Sequence, residues 1–291
     1  MSTRHHRVLT PYLFLMPSAA VLGMFLLGGA IQVIFYSFTR YTAFSGPEFV
    51  GLDNYARTLS SERFWRCLVN SIAYLTVTPV LICISLIAAL AVDARLRGMG
   101  WLRLALFLPV ITPTLVASIA WRQLLNDDDG LINATLKNLG MRPIGWLTEY
   151  PWTLVSAMLV TLWKGFGFYM MVFLAALTAV PTELKEAAAV DGAGRWSTFR
   201  VVVLPALRPA IALVAVVSSI SALKVFEELY VTVRGAPITQ QTVVPLIYRI
   251  AFEEGNYGLA SAVGMVLFLV ILGFSLINLK LSRRPAPGGA S

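Results

Sequence analysis

Residues 181–209 read PTELKEAAAVDGAGRWSTFRVVVLPALRP. This segment lies between two long apolar runs and has polar and charged residues distributed along it. A helix is predicted to begin near Thr182, because its hydroxyl can cap backbone N–H groups and Glu183 places an anion at the positive end of the helix dipole. Residues that break helices follow nine to twelve positions later, namely Asp191, Gly192 and Gly194. The segment therefore predicts a first short helix that ends in a sharp turn.

A second short helix is predicted after that turn and before Pro205. It carries Trp196, Phe199, Val202 and Val203. In the first helix, apolar residues recur at i, i+3 and i+4 and so share one face, namely Leu184, Ala187 and Ala188. We expect two small helices at an angle, lying outside a bilayer. From these residues alone, an ordinary cytoplasmic loop is the competing interpretation.

The composition is that of a membrane protein. Of the 291 residues, 57% are hydrophobic and 13% are charged, whereas a soluble domain has about 25% charged residues. The mean hydropathy is +0.74. Cys67 and Cys83 fall within one predicted helix, roughly 24 Å apart, which is too far for a disulfide. The composition predicts an all-α polytopic membrane protein with two free cysteines.

Six apolar runs are long enough to cross the roughly 30 Å hydrocarbon core. The predicted transmembrane helices are 12–38, 67–92, 104–125, 152–180, 206–233 and 258–281. The first run is far longer than the 7–15 apolar residues of a signal peptide, so we predict a retained helix. Residues 1–291 are predicted to form a single transmembrane domain, with the 181–205 loop outside the bilayer.

The charges are distributed asymmetrically between the two predicted sides. The side that holds both termini, the 93–103 turn and the 181–205 loop has twelve Lys or Arg and four acidic residues, whereas the other side has nine of each. The positive-inside rule therefore makes the first side cytoplasmic, with both termini there. The net charge of +8 is therefore explained by the orientation of the chain in the membrane. It is not an argument for nucleic acid as a partner.

No enzyme site or nucleotide site is evident. The two histidines, His5 and His6, both lie in the N-terminal tail, and the sequence has no HExxH and no CxxC. None of the five lysines follows a glycine, so the chain lacks a GxxxxGK[ST] loop. We expect no catalytic residue, no metal site and no cofactor on this chain. If ATP drives the protein, another subunit must bind it.

Four ionisable residues lie inside predicted helices, where they usually face a cavity or a partner: Lys164, Lys224, Glu227 and Glu228. The last three fall at i, i+3 and i+4, so a self-neutralised structural cluster and a cavity lining both remain open. Hydroxyl and aromatic side chains nearby could contact a sugar, or could simply pack: Ser218, Ser219, Ser221, Phe166, Phe168 and Tyr169.

The segment Glu186-Ala187-Ala188, then Gly192, then Val202-x-Leu204-Pro205, has the pattern EAA-x3-G-x9-(I/V)-x-LP. It resembles the EAA loop of binding-protein-dependent ABC importer permeases, with Val202 in place of the commoner Ile. Further matches are FVGLDNYARTLSSERFW at 49–65, LPVITP at 108–113, GLINATLKNLG at 130–140 and LIYRIAFEEGNYGLASA at 246–262. The whole chain is similar to the sugar-uptake branch, as in the first permease of maltose, lactose and glycerol-3-phosphate importers.

The resemblance implies a type I ABC importer permease fold with a cytoplasmic coupling helix, in the bacterial inner membrane. It implies a second related permease, two ATP-binding subunits that hold ATP and Mg, and an extracytoplasmic solute-binding protein, with lipid around the helices. The positions that it assigns to coupling with the ATPase are Glu183, Glu186, Ala187, Ala188, Asp191, Gly192, Arg195, Leu204 and Pro205.

The resemblance also implies a substrate pathway at Lys164, Gly165 and Phe168, and near Ser218, Ser221, Ala222 and Val225, with Lys224 and Glu228 close by. Where maltose relatives have amide side chains, this chain has Ala222 and Val225. The resemblance therefore implies the location of the substrate pathway but not specificity for maltose. The outer loop also departs, with VRGAP at 233–237 where relatives often have TGGGP.

The implied function is import of a mono- or oligosaccharide. Lys164 leaves open an anionic substrate, such as glycerol-3-phosphate or a related phosphodiester. An ion-coupled secondary transporter would need paired internal repeats and an ion site, and the sequence shows neither. A membrane scaffold or receptor without transport is a further alternative.

Overall fold

The structure is a computed structural model that describes residues 14–93 and 99–282. The described chain divides into two compact units. The first contains residues 14–64 and 247–268, and the second contains 65–93, 99–246 and 269–282. The predicted basic termini, with His5 and His6, and the turn residues Arg95 and Arg97 lie outside the described residues.

Helices long and apolar enough to cross a membrane make up most of the chain. Four satisfy this test alone, namely Phe14–Ser37, Glu62–Asp93, Trp152–Thr178 and Tyr257–Asn278. Two further pairs satisfy it together but are bent, Met99–Ile111 with Thr114–Leu124 by 94° and Arg195–Ala206 with Arg208–Leu223 by 62°. By length and composition, the described residues therefore hold four spans, or six if each bent pair counts as one.

The first unit surrounds the end of the first span. Its elements are α1 (Phe14–Ser37), β1 (Thr39–Thr42), β2 (Ser45–Phe49), α2 (Asp53–Ser60), the start of α3 (Glu62–Tyr74) and the start of the last helix. Strands β1 and β2 pair antiparallel, Thr39 opposite Phe49. No strand was predicted from the sequence for this segment, so the hairpin was missed.

A buried amide holds the hairpin against the first span. Asn54 is buried, and its Nδ2 donates to the carbonyl oxygens of Ser37 at 3.1 Å and Thr39 at 2.8 Å. Gly258 lies so close to the Thr39 carbonyl that a Cβ there would overlap it. Arg63 forms a two-point ion pair with Glu254, at 2.7 and 3.3 Å. These contacts join the hairpin, α2 and residues 249–258 into one body.

The second unit is a bundle of helices. After the rest of α3, its elements are α4 (Val77–Asp93), α5 (Met99–Ile111), α6 (Thr114–Leu124), α7 (Leu131–Asn138), α8 (Trp152–Thr178), α9 (Thr182–Val190), α10 (Arg195–Ala206), α11 (Arg208–Leu223) and α12 (Glu227–Thr232). Helix α13 (Val243–Tyr248) runs on into a π turn, Arg249–Glu253, and α14 (Tyr257–Ser282) ends the described chain.

Helix α8 is the centre of the second unit and packs mainly against α4. Fully buried side chains from both helices form this core, including Val77, Leu81, Met170 and Phe173. Ser85 on α4 donates to the Phe166 carbonyl at 3.0 Å. Gly167 lets the backbone of α5 approach, since a Cβ at 167 would overlap the Leu106 carbonyl oxygen. Helices α5 and α8 therefore approach each other closely at this glycine.

The prediction of one straight helix over 104–125 was wrong. Helix α5 ends at Ile111 and α6 begins at Thr114, at 94° to each other. Pro113 causes the break, because it has no backbone N–H and disfavours the helical conformation of Thr112 before it.

The prediction of one helix over 206–233 was also wrong. Helix α11 ends at Leu223, and the next residues leave helical geometry, with Lys224 at φ −101° and ψ 9° and Phe226 at φ −134° and ψ −64°. Helix α12 then packs against α6 and α8 and buries Leu229 completely. A straight continuation could not bring Leu229 into that core, so tertiary packing overrides the apolar run.

Gly167→Ala is expected to destabilise the second unit by about 1–3 kcal/mol, because the added methyl group pushes α5 away from α8. Thermal unfolding of the purified chain in detergent measures this effect. Gly273→Ala is the matched control, because Gly273 lies in a helix with no atom within 4 Å of a Cβ. An unchanged melting temperature for Gly167→Ala would contradict the close approach.

Candidate functional site

A cavity of about 550 Å³ lies in the second unit between α8, α11 and the break that precedes α12. All nine residues predicted for the substrate pathway line it, namely Lys164, Gly165, Phe168, Ser218, Ser221, Ala222, Lys224, Val225 and Glu228. The break after Leu223 creates this arrangement, because it turns residues 224–228 across the end of α11. Positions from two separate helices thus meet around one space.

The charges of the cavity are not paired as the helical spacing predicted. Lys164, Lys224, Glu227 and Glu228 all line it. Because the helix breaks at Lys224, the expected i, i+3, i+4 alignment is lost, and no ion pair joins Lys224 to either glutamate within the described part of the chain. The sequence left a self-neutralised cluster and a cavity lining both open, and among the described residues these side chains line a cavity without such pairing. The lining has two cations and two carboxylates and is formally neutral.

Lys164 has a structural bond at the break between α5 and α6. Its Nζ donates to the Thr112 carbonyl oxygen at 2.7 Å. Thr112 lies at the 94° bend between the two helices, outside both, so its carbonyl lacks the regular helical donor, and such a carbonyl inside a membrane protein needs another one. Lys164 thus supplies a hydrogen bond to the backbone at the break, and it also lines the cavity. An ammonium group has three donors, so two remain for other acceptors.

The aromatic residues of α8 have different positions. Phe168 lines the cavity with about half of its surface exposed, and its ring meets that of Tyr169 edge-on at 5.3 Å. Tyr169 also lines the cavity but is buried. Phe166 instead packs against the core. Of the three aromatic residues considered from sequence, Phe168 alone offers a large exposed face within this cavity.

The hydroxyl groups also differ. Ser218 donates to its own helix at the Val214 carbonyl, 2.6 Å away, so it has no free proton for a ligand. Ser221 lines the cavity and is exposed. Thr114 and Thr161 line it as well, and Thr161 shares a hydrogen bond of 2.7 Å with Tyr74. Both threonines were missed. Thr161 lies three residues before Lys164 on the same face of α8 and could have been found from that spacing, whereas nothing in the sequence relates Thr114 on α6 to α11.

The predicted coupling segment folds into the expected two short helices. Helix α9 ends at Val190, and Gly192 has φ +79°. The Gly192 N–H donates to the Ala189 carbonyl and the Ala193 N–H to the Ala188 carbonyl, which is a Schellman motif. Thr182 makes no capping hydrogen bond, since Pro181 occupies the cap position. That expectation was wrong.

Helix α9 buries none of its residues, whereas α10 is attached through Phe199, which packs against the core, and at its far end. Val203 and Leu207 are buried in the core of the second unit. Large apolar side chains of the segment are exposed, namely Leu184, Val190, Trp196 and Val201. The nine predicted coupling residues lie along this exposed segment, and the inner ones, Leu204 and Pro205, are half-buried. The segment therefore exposes most of its surface and is held to the second unit by its buried residues.

Asn133, which begins an apparent glycosylation sequon, is completely buried. Its Nδ2 donates to the carbonyl oxygens of Asp127 and Ile144, and its Oδ1 accepts from the Ile144 N–H and from Trp146 Nε1. It organises the 126–148 loop. The VRGAP loop contributes Arg234, Gly235, Ala236 and Pro237 to a polar recess of about 340 Å³ beside this loop.

Comparison with known proteins identifies the family. The family described as binding-protein-dependent transport system inner membrane component matches residues 7–285. The chain belongs to this family. It is therefore a multi-pass inner-membrane transport component, as its apolar helices indicate.

Curated relatives match along almost the full length. The trehalose/maltose transport system permease protein MalF of Thermococcus litoralis is 32% identical, over 94% of this chain and 93% of the relative. The arabinooligosaccharides transport system permease protein AraP of Bacillus subtilis is 35% identical, over 94% and 88%. The lactose transport system permease protein LacF of Rhizobium radiobacter is 30% identical, over 94% and 93%.

A solved structure shares the fold. A chain of a bacterial ABC transporter involved in the import of the acidic polysaccharide alginate superposes with a TM-score of 0.84, over 96% of both chains, at 24% identity. This likeness establishes the ABC importer permease fold and, at that identity, nothing about substrate.

Lys164→Met is expected to lower stability by about 1–2 kcal/mol, because it leaves the Thr112 carbonyl without a donor. Lys224→Met is the matched control, since Lys224 is an exposed lysine of the same cavity and makes no ion pair with Glu227 or Glu228. Thermal unfolding in detergent distinguishes the two variants. Equal melting temperatures would show that the Lys164 bond contributes nothing.

Proposed function

We propose that the chain is a permease subunit of an ATP-driven, binding-protein-dependent importer of a carbohydrate, and that it forms half of the translocation pathway. The observation that carries this proposal is the cavity in which all nine predicted pathway residues meet. It lies in the same unit as the exposed coupling segment. Family membership supplies the transport class, and the names of the curated relatives supply the substrate class.

A neutral saccharide suits the lining best. The formal charges of the cavity cancel, its hydroxyl groups can exchange hydrogen bonds with sugar hydroxyls, and Phe168 offers a face on which a ring can stack. Three full-length relatives are named for trehalose and maltose, arabinooligosaccharides and lactose. A phosphate ester would leave Glu227 and Glu228 facing an anion, which disfavours glycerol-3-phosphate or a related phosphodiester.

The partners follow from the proposed function. A second, related permease would complete the pathway, two ATP-binding subunits would hold ATP and Mg, and an extracytoplasmic solute-binding protein would deliver the sugar. The exposed apolar side chains on α9 and α10 support a subunit docked there, because such a surface is rarely left bare. The charge distribution supports cytoplasmic termini and a cytoplasmic position for α9.

A continuous chain of helices would transmit the motion. Helix α9 meets α10 at the Gly192 turn, and α10 joins α11 at a 62° bend around Leu207, whose side chain is fully buried. Helix α11 ends at the break that forms the cavity wall. A push on α9 by the ATP-binding subunits would therefore rotate α11 and change the cavity. The chain itself performs no catalysis and binds no nucleotide in this scheme.

Gly192→Asp is expected to uncouple transport from ATP hydrolysis, because an L-residue in the left-handed region costs about 1–2 kcal/mol and disturbs the turn beside the docking helix. Uptake and ATP hydrolysis by the importer reconstituted in vesicles, with its binding protein, measure coupling. Gly194→Asp is the matched control, since Gly194 has φ −67° and open space around it. Wild-type coupling in Gly192→Asp would contradict the assignment.

Glu186→Lys reverses a charge on the exposed face of α9 and is expected to abolish binding-protein-stimulated ATP hydrolysis while the chain stays inserted. Lys137→Glu, a charge reversal on the distant helix α7, is the control. Stimulation by the binding protein also separates an ABC importer from an ion-coupled transporter. Uptake that needs an ion gradient and no ATP would contradict the whole proposal.

Phe168→Ala is expected to raise the apparent KM for sugar uptake roughly fivefold, by loss of about 1 kcal/mol of ring contact. Phe268→Ala is the control, because Phe268 is similarly exposed but lies on α14, away from this cavity. Uptake kinetics with a panel of neutral sugars checks the prediction and identifies the substrate. An unchanged KM would show that the Phe168 ring does not contact the sugar.

A further inference from the structure

A second cavity, of about 480 Å³, lies within the first unit, and the transport mechanism makes no use of it. It is lined by Val33, Tyr36, Tyr41, Ile247, Ala251, Tyr257, Ala260, Ser261 and Gly264. None of these side chains carries a charge. The space is several times the ~150 Å³ apolar cavity that takes up benzene in a soluble protein. It is large and apolar enough to hold part of a hydrocarbon chain.

The position of this cavity relates it to the edge of the bilayer. Tyr36 lies one residue before the end of the first span, and Tyr257 begins the last. Tyr41 lies between them, with its ring centroid 4.8 Å from that of Tyr36 and 5.2 Å from that of Tyr257, and both ring pairs are tilted. The ends of the two spans are therefore at one level. Tyrosine is enriched where hydrocarbon meets the polar headgroups.

The walls below the tyrosines come from membrane-spanning helices. Val33 lies on α1, whose span window is not buried by the rest of the chain, and Ala260 and Gly264 lie on α14. Small residues on α14 leave the room, because a Cβ at Gly264 would meet only Ile247 Cδ1, at 3.8 Å. The cavity is thus apolar along the spans and carries hydroxyl groups at their ends, which matches the polarity of a phospholipid from tail to headgroup.

We propose that this cavity is a specific site for one membrane phospholipid, with an acyl chain along α14 and the ester region beside the three tyrosines. The lipid would fill the space between the ends of the first and last spans, where the 39–49 hairpin is attached. The test of this proposal measures lipid binding and not transport. A negative result would therefore leave the proposed function unaffected.

The test uses the full chain in vesicles of phosphatidylethanolamine and phosphatidylglycerol that contain a trace of phosphatidylethanolamine with a photoreactive diazirine acyl chain. Irradiation followed by peptide mass spectrometry locates the label. We expect labelling concentrated on residues 247–264 and reduced by added unlabelled phosphatidylethanolamine. Uniform labelling of all spans, or labelling that unlabelled lipid does not reduce, would overturn the proposal.

Gly264→Leu is expected to reduce labelling of this segment at least fivefold, because the new side chain fills the cavity. Gly273→Leu is the matched control on the same helix, in open space, and should label as the wild type does. Wild-type labelling in Gly264→Leu would contradict the site. A cysteine cross-link from Ser261→Cys to another polypeptide would also contradict it, because the cavity would then hold a partner's helix.

Discussion

Within a bilayer every backbone N–H and C=O must find a partner in the protein, and this constraint governs where the helices of this chain break. The break at Thr112 and Pro113 is tolerated because Lys164 donates to the freed Thr112 carbonyl. The break after Leu223 is tolerated because residues 224–228 line a cavity and α12 buries Leu229 in the core. Irregular backbone therefore occurs here beside the cavity that we propose as the substrate pathway.

The degree of side-chain burial differs between the helices at the centre of the second unit and the predicted coupling segment. Helices α4 and α8 form a core with side chains that are almost completely buried, and Gly167 lets α5 join it closely. Helix α9, by contrast, buries nothing, although α10 is fixed by Val203 and Leu207. In the proposed function, this exposed segment would transmit force through its buried end to α11, and its exposed apolar side chains would contact a partner.

Sequence patterns predicted the helical class, the long spans and the two helices around Gly192 well, because apolar length and glycine conformation are local properties. They did not predict the hairpin at 39–49, the capping of Thr112 by Lys164 or the end of α11 at Leu223. Three charged residues follow Leu223 within five positions, so a local signal for that break was present, but it does not say whether the helix ends or continues with its charges facing a cavity. The grouping of Thr114 with Ser221 was also not predictable, since α6 and α11 have no fixed relation in sequence.

The sequence by itself determined membrane insertion, an asymmetric charge distribution and the family, because hydrophobicity, charge and the EAA pattern are written in the order of residues. The tertiary structure decided between the two arrangements left open for the lysines and glutamates, which line one cavity, and it alone brought three tyrosines together between the first and last spans. The physical reason is that both arrangements depend on helix packing. Packing buries one face of each helix and can bend a helix. Where this happens depends on many contacts between residues that are distant in sequence.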